Sequence, residues 1–186
     1  MQSEDRLNPK YVQPKAKPTR HSQMFWAAFS FKIRTALAPL FGNPQSKGGK
    51  VTGRIILETL QEHLPTICEP GSIFIQDNAP THSCKIVQNW LVEWAQENGV
   101  ELVDWPAYLP DLNPIENVWK ILKEDITKEF PHLVDLPKND AAKRELIYAA
   151  ICVWEGLDEE MLNKLLLGMV KRLQAVIEAD GWYTKY

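Results

Sequence analysis

A chain of 186 residues, 45% hydrophobic and 24% charged, has room for one ordinary domain with an appendage and is too apolar to remain disordered. Its longest apolar runs, such as Ile151–Trp154 and Leu165–Leu167, fall far short of a membrane span, and no charged start followed by an apolar block marks a secretory signal. Three scattered cysteines outside any C-x-x-C pair exclude a disulfide framework and argue against a zinc site, so the chain reads as intracellular, nuclear in a eukaryote and cytoplasmic otherwise, with no membrane partner.

The net charge of −3 divides unevenly: residues 1–54 hold ten Lys/Arg against two acids, and residues 55–186 hold eleven against twenty-two. A basic arm ahead of an acidic body suggests an anionic partner, nucleic acid first; a solvated basic tail is the plainer reading.

Residues 1–22 are polar, carry Pro9, Pro14 and Pro18, and read as an extended arm with Lys10, Lys15, Lys17 and Arg20. Met24–Ser30 and Ile33–Leu40 read as two strands joined by a tight turn at Phe31 and Lys32. Val51–Leu64 has apolar residues at helical spacing. A short buried strand, Ile73–Gln76, ends in Asp77, and residues 78–81 turn into a helix marked by Ile86, Val87, Trp90, Leu91 and Trp94 and closed by Asn98-Gly99. Val100–Val103 is a further strand, Trp105–Asn113 a proline-rich loop, and a helix runs from Asn113 to about Lys128. After a linker at 130–137, helices are expected over 140–154 and 158–179. Strands alternating with helices give the α/β class, with a mixed sheet because the opening hairpin is antiparallel. The expected division is an arm over 1–22, a catalytic core over 23–130 and a helical extension of that domain over 131–186.

Two carboxylates stand out. Asp77 closes a strand at the edge where open α/β sheets place their ligands, and Glu116 lies in the first turn of the helix after the next strand. If the two elements are neighbours, both carboxylates can converge on a hard divalent ion such as Mg²⁺ or Mn²⁺. The alternative is local: Asn113-Pro114-Ile115-Glu116 is also a capping box, and Asp77 could accept backbone N–H bonds in its own turn. His82 could contact phosphate, orient a water, or be a structural residue of the turn. Lys120 and Lys123 lie one and two turns beyond Glu116, where they could touch phosphates or be solvated. Lys32 and Arg34 could extend the basic patch, and Trp26, Trp90, Trp94 and Trp119 read as core.

Gln76-Asp77-Asn78-Ala79-Pro80-Thr81-His82 and the segment from Trp105 to Trp119, WPAYLPDLNPIENVW, closely resemble the two hallmark segments of the Tc1/mariner transposase family. Val170–Val176 with Gly181 and Thr184-Lys185-Tyr186 is similar to that family's usual ending. The resemblance, from about Met24 to Tyr186, implies an RNase H-like fold with extra C-terminal helices and a D-D-E triad holding two Mg²⁺. It also implies DNA as partner, cleavage of transposon ends, joining of the freed 3′-hydroxyl to target DNA, and a homodimer or paired-end complex. By motif, Asp77 is the second carboxylate and Glu116 the third. The 38 residues between them are more than in the best-known members, which suggests a variant subgroup.

The implied first aspartate sits on a strand ahead of the Met24–Leu40 hairpin. Only Asp5 precedes that hairpin, in Ser3-Glu4-Asp5-Arg6 with no apolar strand before it, so the first strand is expected to be missing and this chain catalytically incomplete. The alternative function is a non-catalytic remnant that binds DNA or a protein partner. A plain nuclease acting on RNA–DNA hybrids agrees less well with the loop wording.

Overall fold

The computed structural model describes residues 22–46, 48–105 and 112–179. Its elements run β1 (Met24–Trp26), β2 (Phe29–Ser30), β3 (Ile33–Arg34), β4 (Ala38–Leu40), α1 (Gly53–His63), β5 (Ile73–Phe74), α2 (Lys85–Asn98), β6 (Glu101–Leu102), α3 (Pro114–Glu129), α4 (Asp140–Gly156) and α5 (Glu159–Glu178).

The first two expected strands form a single antiparallel hairpin with a break in its middle. Met24, Phe25 and Trp26 pair with Leu40, Pro39 and Ala38, whereas Phe29 and Ser30 pair with Arg34 and Ile33. Between these ladders, residues 27 and 28 face 35, 36 and 37, so the register slips by one residue and the hairpin carries a β-bulge. Thr35 bridges the break: its N–H donates to the Ala28 carbonyl at 2.9 Å, and its hydroxyl accepts from Ala28 N–H at 3.0 Å. The tip is tight, with Lys32 at φ 61° in the left-handed region and its N–H donating to Asn163 Oδ1 at 3.0 Å.

Alternation along the hairpin sends neighbouring side chains to opposite faces. Trp26 and Leu40 pack with Ile56, Leu60 and Leu64 around α1 and with Val87 and Leu91 of α2. Ala27 and Leu37 pack with Val118 and Leu122 of α3, Ala150, Val153 and Trp154 of α4, and Leu162 of α5. Helices therefore cover both faces of the hairpin. Their ends follow the expected chemistry: Gly99 closes α2 at φ 64°, Asn139 caps α4 by accepting from Ala142 N–H at 2.9 Å, and Asp158 caps α5 by accepting from Glu160 N–H at 3.0 Å. Gly53 opens α1 where a Cβ would lie 2.2 Å from Cys84 Sγ, so any larger residue would have to displace the Cys84 thiol where α1 meets the start of α2. Among the described residues no helix is long and apolar enough to cross a membrane.

Three details differ from expectation. The ladders remain three two-stranded pieces among the described residues, so the hairpin and the parallel β5–β6 pair are not joined into one mixed sheet by hydrogen bonds. The expected buried strand at 73–76 shortens to Ile73–Phe74, and Ile73 is 61% exposed. β5 has β6 as its one ladder neighbour among the described residues, so no flanking strand covers Ile73. The 130–137 linker also contains a 3₁₀ turn at Pro131–Val134.

Candidate active site

Asp77 stands three residues beyond the end of β5, on an exposed stretch rather than at the end of a buried strand. Its Oδ1 accepts from Ala79 N–H at 3.2 Å and lies 2.5 Å from His82 Nδ1. The Ala79 carbonyl in turn accepts from the N–H groups of His82 and Ser83 at 2.8 and 2.9 Å, which winds residues 79–83 into the start of α2. The local role of Asp77 as a turn acceptor is therefore present at Oδ1. Oδ2 has no protein donor among the described residues.

Asn78 extends this turn toward the next element. Its Nδ2 donates to the carbonyl of buried Trp105 at 2.6 Å, joining the Asp77 turn to the chain leaving β6. Nothing in the sequence marks Asn78 beyond its place in the motif, because its partner is 27 residues away. Asn78→Ala leaves the Trp105 carbonyl without this donor and is expected to lower stability by about 1–2 kcal/mol in urea denaturation. An unchanged midpoint would remove the clamp from the account.

Glu116 is placed by the start signals of α3. Asn113 is 7% exposed and caps the helix by accepting from Ile115 N–H at 3.4 Å, and Pro114 follows at the first helical position. A full capping box would also hold the Glu116 carboxylate on the Asn113 N–H. Among the described residues the carboxylate makes no hydrogen bond and no ion pair, and Glu116 is exposed. Asn113 is thus the cap, and Glu116 keeps its carboxylate free at the helix end that favours negative charge.

Lys120 and Lys123 are exposed on α3 and share the helix face of Glu116, four and seven residues on. Neither makes an ion pair among the described residues. Lys32 is exposed at the hairpin tip. Arg34 reads from sequence as part of the same basic patch, but its guanidinium donates to the carbonyls of Glu155 and Leu157 at 2.6 and 2.9 Å, satisfying the C-terminal end of α4. Trp26 and Trp154 are buried; Trp90 stacks on Trp94 and Trp119 on Trp154, so the tryptophans serve packing. Lys10, Lys15, Lys17 and Arg20, with Asp5, lie outside the described residues.

No group of three His, Cys, Asp or Glu side chains gathers among the described residues. Burial pushes the Cys68 thiol above its ordinary pKa, which makes it a poor nucleophile. Of the two motif carboxylates, Asp77 keeps Oδ2 open and Glu116 keeps both oxygens open among the described residues. Hard carboxylate oxygens of this kind suit Mg²⁺ or Mn²⁺, which keep waters and take few protein ligands.

The chain matches the DDE superfamily endonuclease family over residues 2–136, a span that includes Asp77 and Glu116. The transposable element Tc1 transposase of Caenorhabditis elegans is 33% identical over 183 residues, covering 97% of this chain and 60% of that protein. The Tcb2 transposase of Caenorhabditis briggsae is 28% identical over 189 residues, with the same coverage of 97% and 60%. The chain thus spans about 60% of the length of these relatives. A crystal structure of the Mos1 strand transfer complex matches with a TM-score of 0.59 at 18% identity, over 94% of this chain and 49% of that one. That likeness is one of fold, and it identifies the helix-covered α/β arrangement as RNase H-like. The chain belongs to the DDE superfamily endonucleases.

Proposed function

We propose that this chain carries a DNA transposase catalytic domain, built for phosphoryl transfer on DNA, with Asp77 and Glu116 as two of the three carboxylates of its triad. The observation that carries the reading is the state of those two groups: each stands just after a strand or at a helix start, and each keeps a carboxylate oxygen free of protein donors. Asp77 Oδ2 and Glu116 are the atoms that would hold Mg²⁺ or Mn²⁺. Ions bound there would supply activation of the attacking oxygen and stabilisation of the leaving one.

The protein's own residues prepare that arrangement. The Ala79 and His82 donors fix the Asp77 turn, Asn78 ties the turn to the chain leaving β6, and Asn113 and Pro114 set the first turn of α3 on which Glu116 stands. Lys120 and Lys123 offer two cations on the Glu116 face for DNA phosphates. The basic arm adds Lys10, Lys15, Lys17 and Arg20. We assign the remaining carboxylate of the triad to a strand outside residues 22–179. A second reading is a non-catalytic remnant that binds DNA or a protein partner, and a cleavage assay separates the two.

DNA binding tests the assignment of the cations. Six phosphate contacts imply an affinity for random duplex that falls roughly 1,000-fold between ~50 and ~200 mM salt, with little sequence preference. Reversing the charge at Lys120 and Lys123 should flatten the salt slope by about two contacts, and deleting residues 1–22 should flatten it by about four. Affinity that is indifferent to salt, or that survives both changes, contradicts the reading.

A further inference from the structure

His82 faces Asp77 across the turn, with Nδ1 2.5 Å from Oδ1. A carboxylate oxygen only accepts, so Nδ1 carries the hydrogen whether the ring is neutral or cationic. Ala79 N–H reaches the same oxygen at 3.2 Å. Two donors therefore converge on Oδ1, and among the described residues none reaches Oδ2. The imidazole is the better sheltered partner, its side chain 20% exposed against 50% for Asp77. It is also anchored through its backbone: its N–H donates to the Ala79 carbonyl at 2.8 Å, and its carbonyl accepts from Gln88 Nε2 at 2.8 Å. An exposed aspartate without such a partner samples several side-chain rotamers and turns either oxygen outward.

We propose that His82 is a positioning residue for Asp77: the Nδ1–H bond, with Ala79 N–H beside it, locks the carboxylate so that Oδ2 is the oxygen presented to a divalent cation. This inference rests on the reading of Asp77 as a metal ligand. It gives His82 a task distinct from phosphate contact, because Nδ1 is already engaged and only Nε2 remains for other partners. Groups that orient a metal ligand from behind typically change metal affinity 10- to 100-fold when removed.

The test uses the full 186-residue chain and Mn²⁺ alone, followed by paramagnetic broadening of backbone amide NMR signals, which reports weak binding residue by residue. In the wild type, broadening should centre on Asp77, Asn78 and the first turn of α3. His82→Ala should raise the Mn²⁺ concentration for half-broadening about tenfold. His82→Asn should remain within about threefold of wild type, because its amide nitrogen replaces the Nδ1 donor. The same spectra report whether each variant is folded. A long-range ¹H–¹⁵N spectrum of the wild-type ring should show hydrogen on Nδ1, and Asp77→Asn should weaken that preference. Equal Mn²⁺ response in wild type and His82→Ala, or His82→Asn as weak as His82→Ala, overturns the positioning role and leaves the metal reading standing. A neutral ring protonated at Nε2 alone also overturns it. Absence of broadening around Asp77 in the wild type overturns the metal reading and this inference together.

Discussion

The 186-residue chain, assayed alone with Mg²⁺ or Mn²⁺, is expected to show no detectable DNA cleavage or strand transfer. The transferring phosphorus needs one oxygen activated for attack and another stabilised as it leaves, and the D-D-E resemblance assigns three carboxylates to that work. On the proposed reading Asp77 and Glu116 are two of them, and the third is expected on a strand ahead of the Met24–Leu40 hairpin, where this sequence offers only Asp5. Displacing a reacting group by ~1 Å can cost on the order of 100-fold in rate, and losing a ligand altogether costs more. Supplying an upstream segment that contains an apolar strand ending in Asp should restore cleavage. Glu116→Gln in that extended protein should then abolish it, because the amide keeps the size of the side chain and removes its charge. Robust cutting by the 186-residue chain that is lost in Asp77→Asn would show that the third carboxylate is already present, and Asp5 would be the first to replace.

Trp154→Ala is expected to give the largest loss of stability of any single change in the described core. Trp154 is 1% exposed and stacks on Trp119 with ring centroids 5.8 Å apart. Its Nε1–H donates at 2.8 Å to the carbonyl of buried Thr35, within the bulged stretch of the hairpin. Truncation removes the ring volume and leaves that carbonyl unpaired, for a combined loss of about 4–6 kcal/mol. That approaches half or more of the stability of an ordinary domain, roughly 5–15 kcal/mol. Trp154→Phe keeps most of the ring and loses the donor, so its expected cost is smaller, about 1–3 kcal/mol. Urea denaturation of the two variants separates packing from hydrogen bonding. A loss below ~1 kcal/mol for the alanine variant would contradict the placement of Trp154 at the centre of the core.

How much of this was legible in the sequence follows from the range of the forces involved. α3 was readable because its start is chemically local: Asn113 caps, Pro114 fits the first turn, and Val118 and Leu122 fall on one face. α2 ended as expected because Gly99 supplies the left-handed cap that Asn98-Gly99 announces. The bulge was not readable. Residues 27–37 look like continuous strand on both sides of the tip, and the slip depends on Thr35 bonding Ala28 while Trp154, 119 residues away, takes its carbonyl. The role of Arg34 at the end of α4 was not readable for the same reason, since its carbonyl partners lie 121 and 123 residues on. At the site, motif wording selected Asp77 and Glu116. It could not say which oxygens remain open, because that depends on how the turn folds His82 back onto Asp77 and on Glu116 not reaching its own helix cap.

The most direct measurement is a crystal structure of the chain soaked in Mn²⁺, with the metal located by its anomalous signal. The account predicts a peak on Asp77 Oδ2 shared with, or beside, the Glu116 carboxylate, with the two carboxylates ~4–8 Å apart as one or two ions require. Carboxylates more than ~12 Å apart or on opposite sides of the β5–β6 edge, with no peak on Asp77, would reduce one to a turn acceptor and the other to a helix-end charge.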